Sequence, residues 1–314
     1  MTSSFEPVRS GLLFFACGLS IFLSAGCATT VRPVQESSER LAALQEIAAS
    51  QDKDRLEDLS HDELIARADV FRARGNDQMA RLHYATALKK MPASAPALMG
   101  LGAVFQRNGA HDTALGFFDQ VVEKNPGHAP ALAAMGMSYR EQGDMSRAAE
   151  YLNRALAVQP GDVAILSELA ITYDKAGKEA LAEPLFRQTT VLQPTSALAW
   201  NNLGFNALLQ KKYDQAAEAL QQALMLAPRD KRIINNLALA LALRGEEERA
   251  FALLEGSVGK AGAWNNLGYI FMTSGRFDQA EKAFQQALEE NSRYYVRARE
   301  NLDRLRLLRE SSRK

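Results

Sequence analysis

The chain is poor in the residues on which most site chemistry depends. Its 314 residues include two cysteines, Cys17 and Cys27, both near the start. A disulfide framework, a cysteine-rich zinc site and a thiol catalyst in the main body are thereby excluded. The four histidines, His61, His83, His111 and His128, fall at unrelated places, with no HExxH pairing and no cluster of metal ligands. No GKS or GKT triplet occurs, so no phosphate loop does either, and GxSxG is absent. Charge of one sign is not in excess: 37 Lys and Arg balance 37 Asp and Glu. A phosphate-binding surface over much of the protein needs a clear excess of Lys and Arg, which argues against nucleic acid as a partner. At 47% hydrophobic and 24% charged residues the chain is neither disordered nor a bundle of membrane helices. The sequence therefore offers no catalytic residue, no metal site, no cofactor and no small-molecule substrate.

What is present begins with an uncharged apolar stretch, residues 11–25 (GLLFFACGLSIFLSA). Fifteen residues of helix span roughly 22 Å, short of the ~30 Å hydrocarbon core and better suited to a secretory signal. The stretch runs into Leu23, Ser24, Ala25, Gly26 and Cys27. This looks like a bacterial lipobox, in which a peptidase cuts before the cysteine and the thiol takes up diacylglycerol. Ser24 stands where the bulky aliphatic residue usually is, with Leu23 one place further out. An ordinary signal cleaved nearby and an uncleaved anchor are the alternatives. Lipidation accounts for both cysteines, since Cys17 would leave with the signal and Cys27 would carry the anchor. The mature chain would then hold no free thiol, as suits an oxidising envelope. Several acyl chains on one residue hold a protein firmly where a single chain does not. By resemblance to Gram-negative lipoproteins, Ala28 in place of an aspartate implies sorting to the outer membrane, facing the periplasm. Residues 27–60 then read as a tether with one short amphipathic helix at 36–49, where Leu41, Leu44 and Ile47 share a stripe.

From residue 61 the chain repeats itself. Pro92, Pro126, Pro160, Pro194 and Pro228 are each 34 residues apart. Ala68, Gly102, Gly136, Ala170, Gly204 and Ala238 keep the same step, as do Ala80, Ala114, Ala148, Ala182, Ala216 and Ala250. Small residues locked to a 34-residue period mark a helix-turn-helix array. Leu98, Leu101, Gly102, Phe105, Ala114, Phe118 and Pro126 resemble the tetratricopeptide repeat pattern, as do Trp200, Leu203, Gly204, Ala216, Leu220 and Pro228. Trp264, Leu267, Gly268, Phe271, Ala280 and Phe284 give it again. The expected fold is all-α, a solenoid of seven units beginning near residues 61, 95, 129, 163, 197, 231 and 261 and running to 293. Residues 294–314 follow as a capping helix and tail, with Tyr294, Ala298, Leu302 and Leu305 on its apolar side.

Each recurring residue has a mechanical reason. Small residues at the eighth and twentieth places let the two helices of a unit meet backbone to backbone. Gly75, Gly109, Gly143, Gly177, Gly245 and Gly275 stand between the helices, where a left-handed residue is required. Proline after the second helix ends it. Ser60 to Glu63 form a capping box. Two departures stand out. The sixth unit is thirty residues long with no terminal proline, its second helix ending near Val258, and Pro184 inside the fourth unit's second helix predicts a kink.

In tetratricopeptide arrays the first helices line a concave face, and the second, fifth, sixth, ninth, twelfth and thirteenth places point to ligand. Carried onto this chain, the first four units offer a mixed charged surface: Arg72, Gln106, Arg107, Arg140, Glu141, Asp174 and Lys175. The last three offer Phe205, Leu208, Leu209, Leu239, Leu243, Tyr269 and Met272 beside paired asparagines, Asn201 and Asn202, Asn235 and Asn236, Asn265 and Asn266. Carboxamides donate and accept, so a stack of them can hold an extended peptide's backbone whatever its sequence. The alternative is that these asparagines bond the neighbouring helix and the apolar residues belong to the core between repeats. A lipid-anchored array of this kind resembles the repeat lipoproteins of pilus and secretion machines, the tight-adherence pilus assembly proteins among them. The residues Asn235 to Gly245 (NNLALALALRG) carry that likeness. It also resembles adaptor lipoproteins that gather peptidoglycan enzymes.

Overall fold

The computed structural model describes residues 56–290 and 296–311. The signal segment, Cys27, the tether, the amphipathic stretch 36–49, Ser292 and Tyr294 lie outside the described residues. Within them, fourteen helices and no strands are found. They are α1 (His61–Ala73), α2 (Asp77–Lys90), α3 (Ala95–Arg107), α4 (His111–Lys124), α5 (Ala129–Glu141), α6 (Met145–Val158) and α7 (Val163–Lys175). Then come α8 (Glu179–Leu192), α9 (Ala197–Leu209), α10 (Tyr213–Leu226), α11 (Lys231–Leu243), α12 (Glu247–Thr273), α13 (Phe277–Glu290) and α14 (Val296–Ser311). The described residues fall into two bodies, 56–176 and 177–311. Each is a stack of helix-turn-helix units in which every helix packs on its chain neighbours. Successive first helices also touch one another within each body, α1 with α3 and α9 with α11 among them.

The repeat has a punctuation that the geometry makes plain. First helices start at a side-chain cap that recurs every 34 residues: Ser60, Ser94, His128, Asp162, Ser196 and Asp230 each accept a backbone N–H of the first turn. Such a cap contributes about 1 kcal/mol. At Ser60 the box is complete, with the Glu63 carboxylate accepting the Ser60 N–H at 2.8 Å. Second helices stop at Met91, Asn125, Gln159, Gln193 and Ala227, with φ from −139 to −128°. Each immediately precedes a proline, whose ring excludes the helical conformation from the residue before it. Between the two helices of a unit the chain turns through a left-handed residue, glycine in six units with φ between 68 and 87°. The fifth unit has Lys211 there instead, at φ 60°.

Inside the units that lie within one body the helices meet where the small residues are. A Cβ on Gly204 would lie 2.5 Å from Leu220 and 3.2 Å from the Ala216 carbonyl oxygen. On Gly136 it would lie 2.6 Å from Leu152 and 3.0 Å from the Ala148 oxygen. Around these contacts the fully buried residues repeat down the array: Tyr84, Phe118, Leu152, Phe186, Leu220, Leu254 and Phe284. Tyr84 is the polar member of this column. Its hydroxyl donates to Asp69 at 2.5 Å and accepts from Arg72 Nε at 3.1 Å, and burial pushes its pKa up to about 12.

The sixth unit departs as its length requires. Helix α12 contains one non-helical residue, Gly259, at φ 74° and ψ 170°. The second helix of the sixth unit therefore ends at Val258, and a single residue joins it to the first helix of the seventh. Elsewhere four residues, such as 227–230, make that link. Helix α8 runs from Glu179 to Leu192 with Pro184 inside it, so the proline does not end the helix. At the helix start the Leu181 N–H bonds the Lys178 oxygen at 2.9 Å and the Ala182 N–H reaches it at 3.4 Å. As the sixth residue of the helix, beyond the four N–H groups that lack intrahelical partners, Pro184 removes one backbone hydrogen bond, the one to the Ala180 oxygen. Helix α14 closes the carboxyl-terminal body by burying Ala298, Leu302 and Leu305.

Candidate peptide groove

The asparagine column is a set of ties between repeats. The sixth-place Asn236 on α11 donates its Nδ2 to Oδ1 of the fifth-place Asn201 on α9 at 2.9 Å. Asn266 repeats the pattern toward Asn235 over a longer 3.5 Å. Asn265 Nδ2 then lies 3.3 Å from Asn266 Oδ1, and Asn301 on the closing helix donates to Asn265 at 3.0 Å. Asn265 is 6% exposed, whereas Asn201, Asn202, Asn235, Asn236 and Asn266 keep part of their surface. A carboxamide has two N–H groups and two oxygen lone pairs, so one bond across the repeat boundary leaves capacity on each. The neighbouring-helix alternative thus holds for these bonds, and Asn301 joins the column without belonging to a repeat.

The apolar residues divide by place. Ninth-place Phe205, Leu239 and Tyr269, with thirteenth-place Leu243, are partly exposed over the core they rest on. Leu208 and Met272, both twelfth-place, are 6% and 4% exposed and belong to that core. Expected to take up ligand side chains, they instead fill the space between repeats. The twelfth place does the same in the amino-terminal body with polar groups. Gln106 donates to the Ala134 oxygen and to Ser138 Oγ on α5, both at 2.9 Å, and the Arg140 guanidinium pairs with Glu168 on α7. Arg107 bonds the Arg72 carbonyl oxygen at 2.9 Å and pairs with Asp77, while Lys175 lies 3.7 Å from Glu141. Arg72 is held by Tyr84 and Asp69. Most of the charged residues expected to be solvated on this face are therefore committed to one another.

Sequence reading missed a buried polar centre in the carboxyl-terminal body. Asn206, fully buried on α9, donates to the Glu179 carbonyl oxygen at 3.0 Å and accepts from Gln210 at 2.7 Å. Gln210 reaches the Glu183 carboxylate at 3.0 Å, which Lys212 also bonds at 2.6 Å and Arg187 at 2.8 Å. The Lys212 ammonium, and after it Arg187, hold the Glu183 carboxyl at about 2, well below the usual carboxylate range. The signal was a polar tenth place in three consecutive units: Ser138, Thr172 and Asn206, each fully buried.

Among the described residues no three potential metal ligands come together, and no helix is long and apolar enough to cross a membrane. A recess of about 1000 Å³ lies against the turn of the third unit, lined by Asp112, Tyr139, Asp144 and Arg147 among others. Its polar groups are paired, Gln142 with Asp112 at 2.6 Å and Arg147 with Asp144 at 2.6 Å.

Sequence models of the tetratricopeptide repeat match residues 65–129 and 133–197, 197–230 and 261–294. The chain is a tetratricopeptide repeat protein. What stays unmatched between the repeats is 231–260, the shortened sixth unit. No curated protein matches the chain in sequence. Among solved structures, a tetratricopeptide repeat protein from Parabacteroides merdae is similar over 78% of this chain and 98% of its own, at 21% identity and a TM-score of 0.57. Pseudomonas aeruginosa pilF is similar over 65% of this chain and 96% of its own, at 20% identity and a TM-score of 0.55. These likenesses are of fold. Tetratricopeptide repeat proteins bind protein or peptide partners and are in general non-catalytic scaffolds, which is the class of function the fold supports here.

Proposed function

We propose that this tetratricopeptide repeat protein is an envelope scaffold, held by an acylated Cys27 to the inner leaflet of the outer membrane. Its carboxyl-terminal first helices capture an extended segment of a partner, in the service of a pilus or secretion machine. The observation that carries the groove is the neutral inner face of α9, α11 and residues 260–273 of α12. Phe205, Leu239 and Tyr269 stand partly exposed there beside asparagines whose amides are only half used. An extended peptide needs donors and acceptors at regular intervals and shallow apolar places between them, and this face supplies both. The anchor is supported by the sequence from Leu23 to Cys27, and the service to a secretion machine by the resemblance of residues 235–245 to tight-adherence proteins.

The test is co-purification from detergent-solubilised envelopes with the lipidated full chain. An outer-membrane secretin should accompany the wild type and be lost with Leu239→Arg, a change at a partly exposed position that leaves the asparagine ties in place. Recovery of murein hydrolases in its place would overturn the machine reading in favour of an adaptor for wall enzymes. A Cys27→Ser chain that still floats with membranes after alkaline washing would overturn the anchor.

A further inference from the structure

Soluble helices keep large apolar side chains at their outer ends to a minimum. Several helices of this body expose one, Leu181, Val258, Val296 and Leu307 among them, but at the ends of α8 and α10 they come in pairs at the same repeat places. Val191 and Leu192 close α8, Met225 and Leu226 close α10, and Leu198 opens α9 between them; Val191 is 77% exposed, Met225 64% and Leu198 57%. All five occupy the same end of consecutive repeats, at the joint where a second helix hands over to the next first helix. Neighbouring repeats pack directly, α8 on α9 on α10 on α11, at helix separations of about 8–10 Å, so the five form one row. Trp200 lies on the same joint, its indole N–H donating to the Pro194 oxygen at 2.9 Å.

The charge along this row is one-sided. Residues 191–200 (VLQPTSALAW) carry none, and residues 225–232 (MLAPRDKR) carry three cations to one anion. The anion, Asp230, is occupied in capping α11 and in pairing with Arg232 at 3.0 Å. Arg229 and Lys231 are exposed beside Leu226. The row stops at the sixth unit, which places Gly259 and Lys260 where the fourth and fifth units place Val191, Leu192, Met225 and Leu226; the seventh places Glu289 and Glu290 there, and Lys260 pairs with Glu290. Exposed aliphatic residues, a tryptophan at the margin and adjoining free cations make up the composition of a surface that enters the headgroup layer of an anionic bilayer.

We propose that the joint formed by residues 191–200 and 225–232 is a second membrane contact, taking anionic phospholipid headgroups. It is separate from the peptide groove and does not require Cys27; a lipid anchor would only raise the local concentration of bilayer at the joint. Apolar side chains enter between headgroups, and Arg229 and Lys231 meet phosphate.

The chain has two tryptophans, so full-length Trp264→Phe protein reports on Trp200 alone. It is mixed with phosphatidylcholine vesicles, with or without 30% phosphatidylglycerol, carrying brominated acyl chains. The expected result is a blue shift and strong quenching of Trp200 in anionic vesicles. Val191→Glu with Met225→Glu should abolish both while leaving helical circular dichroism unchanged. Arg229→Gln and Lys231→Gln should each weaken the apparent affinity about fivefold. Hydrogen exchange on the unsubstituted chain, read at 191–198 and 225–232, gives the same answer independently of the Trp264 change. Vesicles that carry the protein while Trp200 stays unquenched would overturn the proposal. So would dimerisation abolished by the double glutamate variant, which would assign the row to a second copy. Protection of the two segments by a soluble partner without vesicles would overturn it equally. The anchor is scored separately: Cys27→Ser should end flotation with neutral vesicles and leave quenching by anionic ones intact.

Discussion

The two bodies build the same repeat and tie it differently. In residues 56–176 the inner side of one unit is fastened to the next by charge: Arg140 to Glu168, Lys175 to Glu141, Arg107 to Asp77 and to a backbone oxygen. In residues 177–311 the turn keeps a charged tie, Arg276 to Glu247 and to the Ala242 oxygen, but along the first helices the work falls to neutral amides, Asn236 to Asn201, Asn266 to Asn235 and Asn301 to Asn265. The backbone geometry tolerates either, because it is set elsewhere, by the glycine-to-alanine contact within each unit and the proline joint between units. What the choice of tie decides is the character of the inner face. Paired charges bring salt sensitivity and leave few free groups, whereas half-used amides leave a neutral surface able to bond further chain.

If the helix contact is common to both bodies, breaking it should injure them alike. Gly136→Val and Gly204→Val each drive a branched side chain into a leucine and a carbonyl oxygen, at a cost of about 3 kcal/mol or more. Hydrogen exchange should show deprotection in the substituted unit and its neighbours, since repeat stability is shared between adjacent units. The ties should then separate the bodies. Arg140→Ala leaves Glu168 without its cation and should cost about 2 kcal/mol, an effect that shrinks in 1 M salt. Asn236→Ala should cost about 1 kcal/mol at any salt concentration, measured as chemical denaturation midpoints. Equal salt dependence of the two variants would erase the distinction.

Another charged tie of the carboxyl-terminal body, away from the asparagines, is centred on Glu183. A carboxyl held below its unfolded value stabilises fully above that value and loses the contribution as pH falls through the folded one. The Glu183 contribution should therefore be complete near pH 6 and disappear between about pH 5 and pH 2, amounting to roughly 1–2 kcal/mol after allowance for the exposure of Lys212 and Arg187. Glu183→Gln should flatten that part of the acid denaturation profile. The smallest effect is a gain. Lys211 occupies the turn position that is glycine in the other six units, and Lys211→Gly should stabilise by about 0.5–1 kcal/mol, read as a rise in thermal midpoint.

The array was legible because its determinants are local and periodic. Proline restricts φ and the residue before it, and glycine alone enters the left-handed region freely, so a 34-residue spacing carries over directly into turns and joints. The deletion in the sixth unit was visible in the early arrival of Trp264, and the break falls at Gly259, one residue beyond Val258. The site was less legible because its chemistry lies across repeats. Whether Asn236 faces solvent or Asn201 depends on how far one repeat is rotated on the next, which no spacing within a repeat reveals. Leu208 and Met272 were misplaced for the same reason: the twelfth place reaches toward the following unit, and a long apolar side chain there buries itself. Pro184 lies within α8 without ending it, an outcome its residue type alone does not give.

The joint at Gly259 has a mechanical consequence. Four-residue joints with a proline have several bonds over which to spread any change of tilt between neighbouring units. Here all such adjustment must pass through the φ and ψ of one residue, in a region of backbone space that is essentially closed to other amino acids. The sixth and seventh units are thus coupled by a single axle with no play, and a methyl group added to it would lock their mutual twist or force the units apart.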